Sequence, residues 1–287
     1  MGNGAMVRRG QGAGRHTIRA VSWGMTSRHA VATRLLDHLH LSREAPSLGY
    51  LHRLIHQHQM RVPFETLTKL IDYEPGLRRG DFMPPMPEYV ERIATRGAGG
   101  LCWTLARGFQ FLLSDLGFEA SFMIMDPGHC CVRVELPEGP YYADVGYAAP
   151  IFQAYPLFES FSINSLRETF EYCVGERSIV VTRTPGPTKT LDPAPRMLAE
   201  LSGLITAAND WTSPQSFLRR LSYASYVEGV YTSLRDGTLR RSLETGIEET
   251  AIAAADIPGI LTDIFNADPA LYEEAADVHR RFVGGAG

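Results

Sequence analysis

Three side chains able to serve as nucleophile, base and orienter stand in order along this 287-residue chain: Cys102, His129 and Asp144. A thiolate is a strong nucleophile, a histidine can take the proton from its thiol, and a carboxylate can fix the imidazole's tautomer and orientation. Cys102 follows Gly97, Gly99 and Gly100. It opens an apolar series, Leu105, Phe109, Leu112, Leu113 and Leu116, that stops at Gly117. That pattern predicts a helix with the cysteine at its N-terminus, where free amides and the helix dipole favour an anion. Between Leu101 and Trp103 the same residue also reads as a small packed side chain, the usual fate of a free cysteine. The histidine and the aspartate tip the reading toward chemistry.

Strand parity tests whether those two can meet. His129–Leu136 and Tyr141–Val145 read as strands, and in an antiparallel hairpin residues whose numbers sum to an odd constant share a face. His129 and Asp144 satisfy that condition. They stand directly opposite only if the turn is centred between Leu136 and Pro137. A symmetric four-residue turn at Pro137–Pro140 would offset them by about 13 Å, at ~3.3 Å per residue, too far for a hydrogen bond. A tighter turn or a β-bulge is therefore expected.

Other candidates are weaker. His52 and His56 have the i, i+4 spacing of a metal pair, but no third ligand has motif spacing nearby, so no metal is expected. Cys130 and Cys131 occupy an apolar strand and read as packing. Asp115, Asp126 and Glu135 read as solvated.

The elements that must position these residues follow from periodicity. Residues 1–24 are rich in Gly and Arg with few apolar groups, which predicts a flexible tail, with Met25 as the biological start. Amphipathic helices are expected over Ser27–Leu41 and from Leu48 to about Met60, the second ended by Pro63. Prolines 84, 85 and 87 predict a loop before a short helix near Glu88–Thr95. After Gly117 the period becomes alternating, with strands at Ser121–Met125, His129–Leu136, Tyr141–Val145, Phe170–Val174 and Ile179–Thr182. Thr184–Pro195 holds four prolines and reads as a linker. A helical patch near Met197–Ala208, mixed structure to Leu243 and a last helix around Ile257–Asn266 complete the chain. The expected divisions are a tail (1–24), a helical domain ending in the cysteine helix (25–117), a β domain (118–200) and a C-terminal α/β unit (201–287).

Composition bounds the function. The chain has 28 Lys plus Arg against 32 Asp plus Glu, a net charge of -4, which argues against nucleic acid as the main partner. Lysine occurs only at positions 69 and 189. No apolar run reaches the ~18 residues of a membrane span. Four cysteines are too few for a disulfide scaffold, and the reducing cytoplasm is the expected location.

Four islands together resemble one family. Gly99, Gly100, Leu101, Cys102 and Trp103 resemble the cysteine signature of the arylamine N-acetyltransferases. His129–Val134 and Tyr142–Tyr147 resemble their histidine strand and their Asp-Val-Gly-Phe-Gly strand. Val62, Pro63, Phe64, Glu65, Thr66 and Leu67 are similar to their Val-Pro-Phe-Glu-Asn-Leu. Asn209 and Trp211–Phe217 are similar to their late Ser-Pro element. The islands keep the family order and span residues 27 to about 270. The resemblance implies an α+β fold: an N-terminal helical bundle, a central small β-barrel and a C-terminal α/β lid around a Cys-His-Asp core like that of cysteine proteases. It also implies ping-pong acyl transfer with Cys102 as acyl acceptor, His129 as base and Asp144 as orienter. Phe64, Phe217 and Gly128 would line the substrate pocket. The donor would be acetyl-CoA or another acyl thioester, the acceptor an arylamine or hydrazine, and no cofactor would be permanently bound.

The departures are specific. Thr104 and Ala106 replace the family's Glu and Asn, Arg96 is displaced by the extra Ala98, and Ala148 stands where a second glycine is usual. The interval from Cys102 to His129 is 27 residues, short for the family, so a more open or differently shaped pocket is expected. Three other readings share the residues: an amide synthase that takes its acyl chain from an acyl carrier protein, a thiol hydrolase, and a non-catalytic relative.

Overall fold

The computed structural model describes Met1 and residues 27–213 and 216–283, so the expected tail, apart from Met1, lies outside the described residues. Helix α1 (Arg28–His38) starts on Ser27 and α2 (Leu48–Arg61) on Ser47. These serine side chains accept the N–H groups of Ala30 and Tyr50, satisfying amides that a helix start leaves free. Pro63 follows the end of α2. Next come β1 (Phe64–Glu65), α3 (Leu67–Ile71), α4 (Tyr73–Arg79), α5 (Met86–Arg96) and α6 (Cys102–Asp115). The apolar faces of α1, α2, α5 and α6 close one core around Leu35, Leu54, Ile55, Ile93, Phe109 and Leu112. Helix α5 begins at Met86, two residues earlier than expected, because Pro85 precedes it and Pro87 sits in its first turn, where no amide partner is lost.

An eight-stranded antiparallel sheet follows: β2 (Glu119–Met125), β3 (His129–Leu136), β4 (Gly139–Ala143), β5 (Tyr155–Pro156), β6 (Phe161–Asn164), β7 (Thr169–Val174), β8 (Ile179–Thr184) and β9 (Thr188–Arg196). The spatial order is β5-β4-β3-β2-β9-β8-β7-β6. The sheet curls until its two edges meet, Tyr155 of β5 stacking on Phe161 of β6 at 3.8 Å, which makes a nearly closed barrel. Met123, Cys131, Tyr142, Phe170, Tyr172 and Val181 fill it.

The proline-rich segment expected as a linker is instead strand β9, which bridges β2 and β8. Pro193 and Pro195 fall where the β2–β9 register shifts, between the pairs Ile124↔Asp192 and Phe122↔Arg196. A bulge is the place where a strand tolerates a residue with no N–H. Leu191 is the one fully buried side chain of β9, so alternation there was too faint to read.

Beyond the barrel, a short 3-10 turn leads into α7 (Ser202–Ala207). The stretch read as mixed is a meander of β10 (Ser222–Val227), β11 (Val230–Arg235), β12 (Thr238–Leu243) and β13 (Gly246–Ala251), to which β1 adds as the edge strand beside β10. Helix α8 (Ile257–Asp263) is the expected last helix, and α9 (Ala270–Val283) follows it unanticipated. Its Leu271, Ala275 and Val278 recur at helical spacing and pack with Leu67, Leu70 and Ala98, so this third core joins the C-terminus to the N-terminal region. Arg96, moved from the cysteine signature, holds that joint by pairing with Asp268 at 2.6 Å and Glu274 at 2.8 Å.

Candidate active site

The loop before Cys102 is built onto the Phe64–Glu65 motif. Phe64 bridges to Gly100, and the Glu65 amide donates to the Gly100 carbonyl at 3.0 Å. The buried Glu65 carboxylate accepts the N–H groups of Gly99 at 3.2 Å and Thr68 at 2.9 Å. Gly99 has no alternative here, because a Cβ would stand 1.9 Å from the Pro63 carbonyl oxygen. One strand residue thus fixes both the cysteine loop and the start of α3. Helix α6 begins at Cys102 with Leu101 as its N-cap, which offers no side-chain acceptor, so the first amides are free to stabilise negative charge at the thiol.

On the opposite wall the hairpin turn is tighter than four residues, as expected, but centred between Pro137 and Glu138: Leu136 pairs with Gly139 and only those two residues connect them. The ladder holds one register through Val132↔Ala143 with no bulge. Asp144 is then two residues, roughly 7 Å, short of the place opposite His129. The chain leaves the strand after Ala143, and the side chains close the gap: His129 Nε2 lies 2.6 Å from Asp144 Oδ2, both buried. The Tyr142 hydroxyl donates to the same oxygen at 2.7 Å, and the Gly146 amide donates to Oδ1 at 2.9 Å. Gln59 Nε2 donates to the Asp144 carbonyl at 3.1 Å. With Nε2 engaged, the other ring nitrogen of His129 is the one left to act on Cys102, which lines the same cavity.

The electrostatics follow. Burial raises the Cys102 thiol, but the hydrogen bond and charge of His129 outweigh it, and the thiol sits below its ordinary 9.0. Burial lowers His129, while the charge and hydrogen bond of Asp144 lift it to about 9. The arrangement therefore favours a thiolate beside an imidazolium. The neighbouring Cys130 and Cys131 are pushed well above 9.0 by burial, as expected of packed thiols. All four cysteines are free.

Cys102 and His129 face a cavity of about 520 Å³. The helical region supplies Phe64, Lys69, Leu101 and Trp103, the barrel supplies Gly128, Tyr147, Ala148, Arg183 and Lys189, and the last third supplies Leu204, Ala207, Ser216 and Phe217. The structure brings the six residues singled out in the sequence into one region: Cys102 and His129 face the cavity with Asp144 hydrogen-bonded behind the imidazole, and Phe64, Phe217 and Gly128 stand on the walls. Phe64 and Phe217 meet edge to face at 6.4 Å. Of the late Ser-Pro element, Pro214 and Gln215 lie outside the described residues. Among the described residues no cluster of three His, Cys, Asp or Glu is placed to hold a metal, and His56 packs on Phe152.

Several supporting residues escaped the sequence reading. Tyr142 shares a strand face with Asp144 at i, i+2, a signal that could have found it. Tyr147 stacks on the His129 ring at 4.3 Å, with the Arg183 guanidinium 4.6 Å from its centroid. Arg183 is tied to Glu168 and to the carbonyls of Tyr147 and Ala148. Ala148 adopts φ 51, a left-handed conformation at the position where the resembling family carries glycine. Only tertiary contacts reveal Gln59, Arg183 and Glu168.

The fold and site define a class: helices, a nearly closed eight-stranded barrel and a C-terminal α/β region around a cavity that a helix-borne cysteine and a strand-borne histidine both line. Residues 47–179 match the N-acetyltransferase family. The fold is shared with the arylamine N-acetyltransferase of Mycobacterium abscessus (15% identity, TM-score 0.71, 88% of this chain and 94% of that one). It is shared also with the Mycobacterium marinum enzyme in complex with CoA (19%, 0.70, 88% and 98%) and the Salmonella typhimurium enzyme (16%, 0.70, 88% and 98%). No curated protein matches the chain in sequence. The chain is an acetyltransferase-type enzyme with the arylamine N-acetyltransferase fold.

Proposed function

We propose that the protein carries an acetyl group from acetyl-CoA to an arylamine or hydrazine through a thioester on Cys102. The observation that carries this reading is the buried His129–Asp144 pair, 2.6 Å apart, on the wall of a 520 Å³ cavity that a cysteine at a helix N-terminus also lines. The Cys102 thiolate attacks the donor carbonyl, and the free amides of α6 lie near the oxygen that gains charge. The His129 imidazolium then protonates the departing CoA thiol. In the second stage the neutral ring takes the proton of the incoming amine as its nitrogen displaces Cys102. Asp144 keeps the imidazole in one tautomer through both stages, while Tyr142 and Gly146 hold the carboxylate. Phe64, Phe217 and Gly128 border the space for the acceptor and the acyl group. No permanent cofactor is needed, and a free thiol suits a reducing compartment, the cytoplasm. No observation favours delivery from an acyl carrier protein.

Intact mass after brief exposure to acetyl-CoA tests the first stage. The expected result is one adduct of about 42 Da, on Cys102 and labile to hydroxylamine, which an arylamine discharges as its N-acetyl derivative. A protein that stays unmodified while remaining folded would sink the reading.

A further inference from the structure

The only two lysines of the chain, Lys69 and Lys189, both line the cavity into which Cys102 opens. Among the described residues neither has a carboxylate partner in the way Arg183 has Glu168: Lys69 Nζ donates to Asn209 Oδ1 at 2.9 Å, and Lys189 Nζ to the Asp126 carbonyl at 3.4 Å. Asn209 is itself held, its Nδ2 donating to the Ile205 carbonyl at 2.8 Å. Lys69 lies on α3, immediately after Thr68, whose amide is bound by the Glu65 carboxylate that also binds Gly99. One buried anchor therefore fixes the lysine and the cysteine loop relative to each other. Burial lowers Lys69 to about 8, with the nearby Cys102 charge acting upward, so a useful share of it is free amine near neutrality.

We infer that Lys69 is a self-acylation site: when no acceptor occupies the cavity, the acyl group on Cys102 passes to Lys69 Nζ. This rests on the Cys102 thioester proposed above. The neutral nitrogen adds its lone pair to the thioester carbonyl carbon and forms the C–N bond. The C–S bond breaks, sulfur keeps its electron pair, and the proton shed by nitrogen passes to His129 or the thiolate. One thioester is consumed and one amide formed, with no co-reactant beyond the acyl thioester that loaded Cys102. The amide carries no charge, occupies cavity space and is not returned to the thiol. An enzyme supplied with donor but starved of acceptor would thus mark its own pocket.

The test uses the full chain incubated with excess acetyl-CoA and no amine at a pH of about 8, near the lysine's own titration. Samples are taken over time and analysed by intact mass and peptide mapping, with and without hydroxylamine, which cleaves thioesters and spares amides. A labile adduct should appear first, followed by a resistant one of equal mass mapped to Lys69. Lys189 should be at least about tenfold less modified, and saturating arylamine should suppress the resistant adduct. Cys102→Ala, and wild-type protein alkylated at Cys102 beforehand, should gain no resistant adduct at Lys69. Lys69→Arg should bring the resistant fraction to background. Equal labelling of Lys69 without a free Cys102 would mean direct acylation from solution and would overturn the inference. A labile adduct with Lys69 unmodified would overturn it while leaving the Cys102 reading intact, and the absence of both adducts would overturn both.

Discussion

Cys102 differs from Cys130 and Cys131 both in what surrounds the sulfur and in opening onto the cavity. Cys130 and Cys131 are buried without a basic partner and are pushed up, whereas Cys102 shares its burial with His129 and is brought below 9.0. Alkylation by iodoacetamide should therefore rise with pH through a midpoint below 9.0, since the thiolate is the reacting species. In His129→Gln that midpoint should move upward, because burial then acts unopposed. The imidazole carries its proton to about 9, so at pH 7 the ring that lowers Cys102 is a cation. Cys102→Ala should abolish acetyl transfer by several orders of magnitude with the fold retained, as seen by circular dichroism. Tyr142→Phe removes one of three donors to the Asp144 carboxylate and should lower the rate far less, on the order of tenfold. Unchanged transfer by Cys102→Ala would remove the catalytic assignment altogether.

Glycine and strain decide the outcome where elements cross. The segment after β4 passes against the start of α6 so closely that a Cβ on Gly146 would stand 2.7 Å from the Cys102 Cα. Gly146→Ala should push strand and helix apart, and since an ångström at a reacting centre can cost about a hundredfold, kcat/KM should fall by roughly that factor. An equally active alanine variant would show that the helix start is more compliant than this packing allows. Two residues on, Ala148 holds φ 51 while its carbonyl receives Arg167 and Arg183. Ala148→Gly relieves strain of about 1–2 kcal/mol and loses part of that to chain entropy, so chemical denaturation should show a gain of under about 1 kcal/mol. A loss of stability there would mean that the methyl group is packed rather than tolerated.

The helical region, the barrel and the last third of the chain share one cavity, and each stretch supplies part of its wall. A ligand bound there should stabilise the whole molecule. CoA at about a hundredfold over its dissociation constant adds about 2.7 kcal/mol, which for a chain of this size raises Tm by roughly 5 °C. No shift in a thermal melt at saturating CoA would argue against the cavity as its seat. No helix among the described residues is long and apolar enough to cross a membrane.

The sequence by itself determined which residues are candidates for chemistry and most of the local elements around them. The helix start at Cys102, the strand parity of His129 and Asp144 and the capping serines of α1 and α2 are short-range properties, set by periodicity, turn residues and backbone sterics. The need for His129 and Asp144 to meet asked for a turn tighter than four residues, and the Pro137–Glu138 turn is one. Tertiary structure decided the rest, because the signals involved are long-range. Strand β9 is a strand through its neighbours β2 and β8 rather than through its own proline-rich residues. Arg96 leaves the cysteine loop to clamp α9, a choice invisible without Asp268 and Glu274. The cavity, with both lysines on its wall, exists only once three distant stretches of chain have been brought together, and spacing along one dimension does not encode that closure.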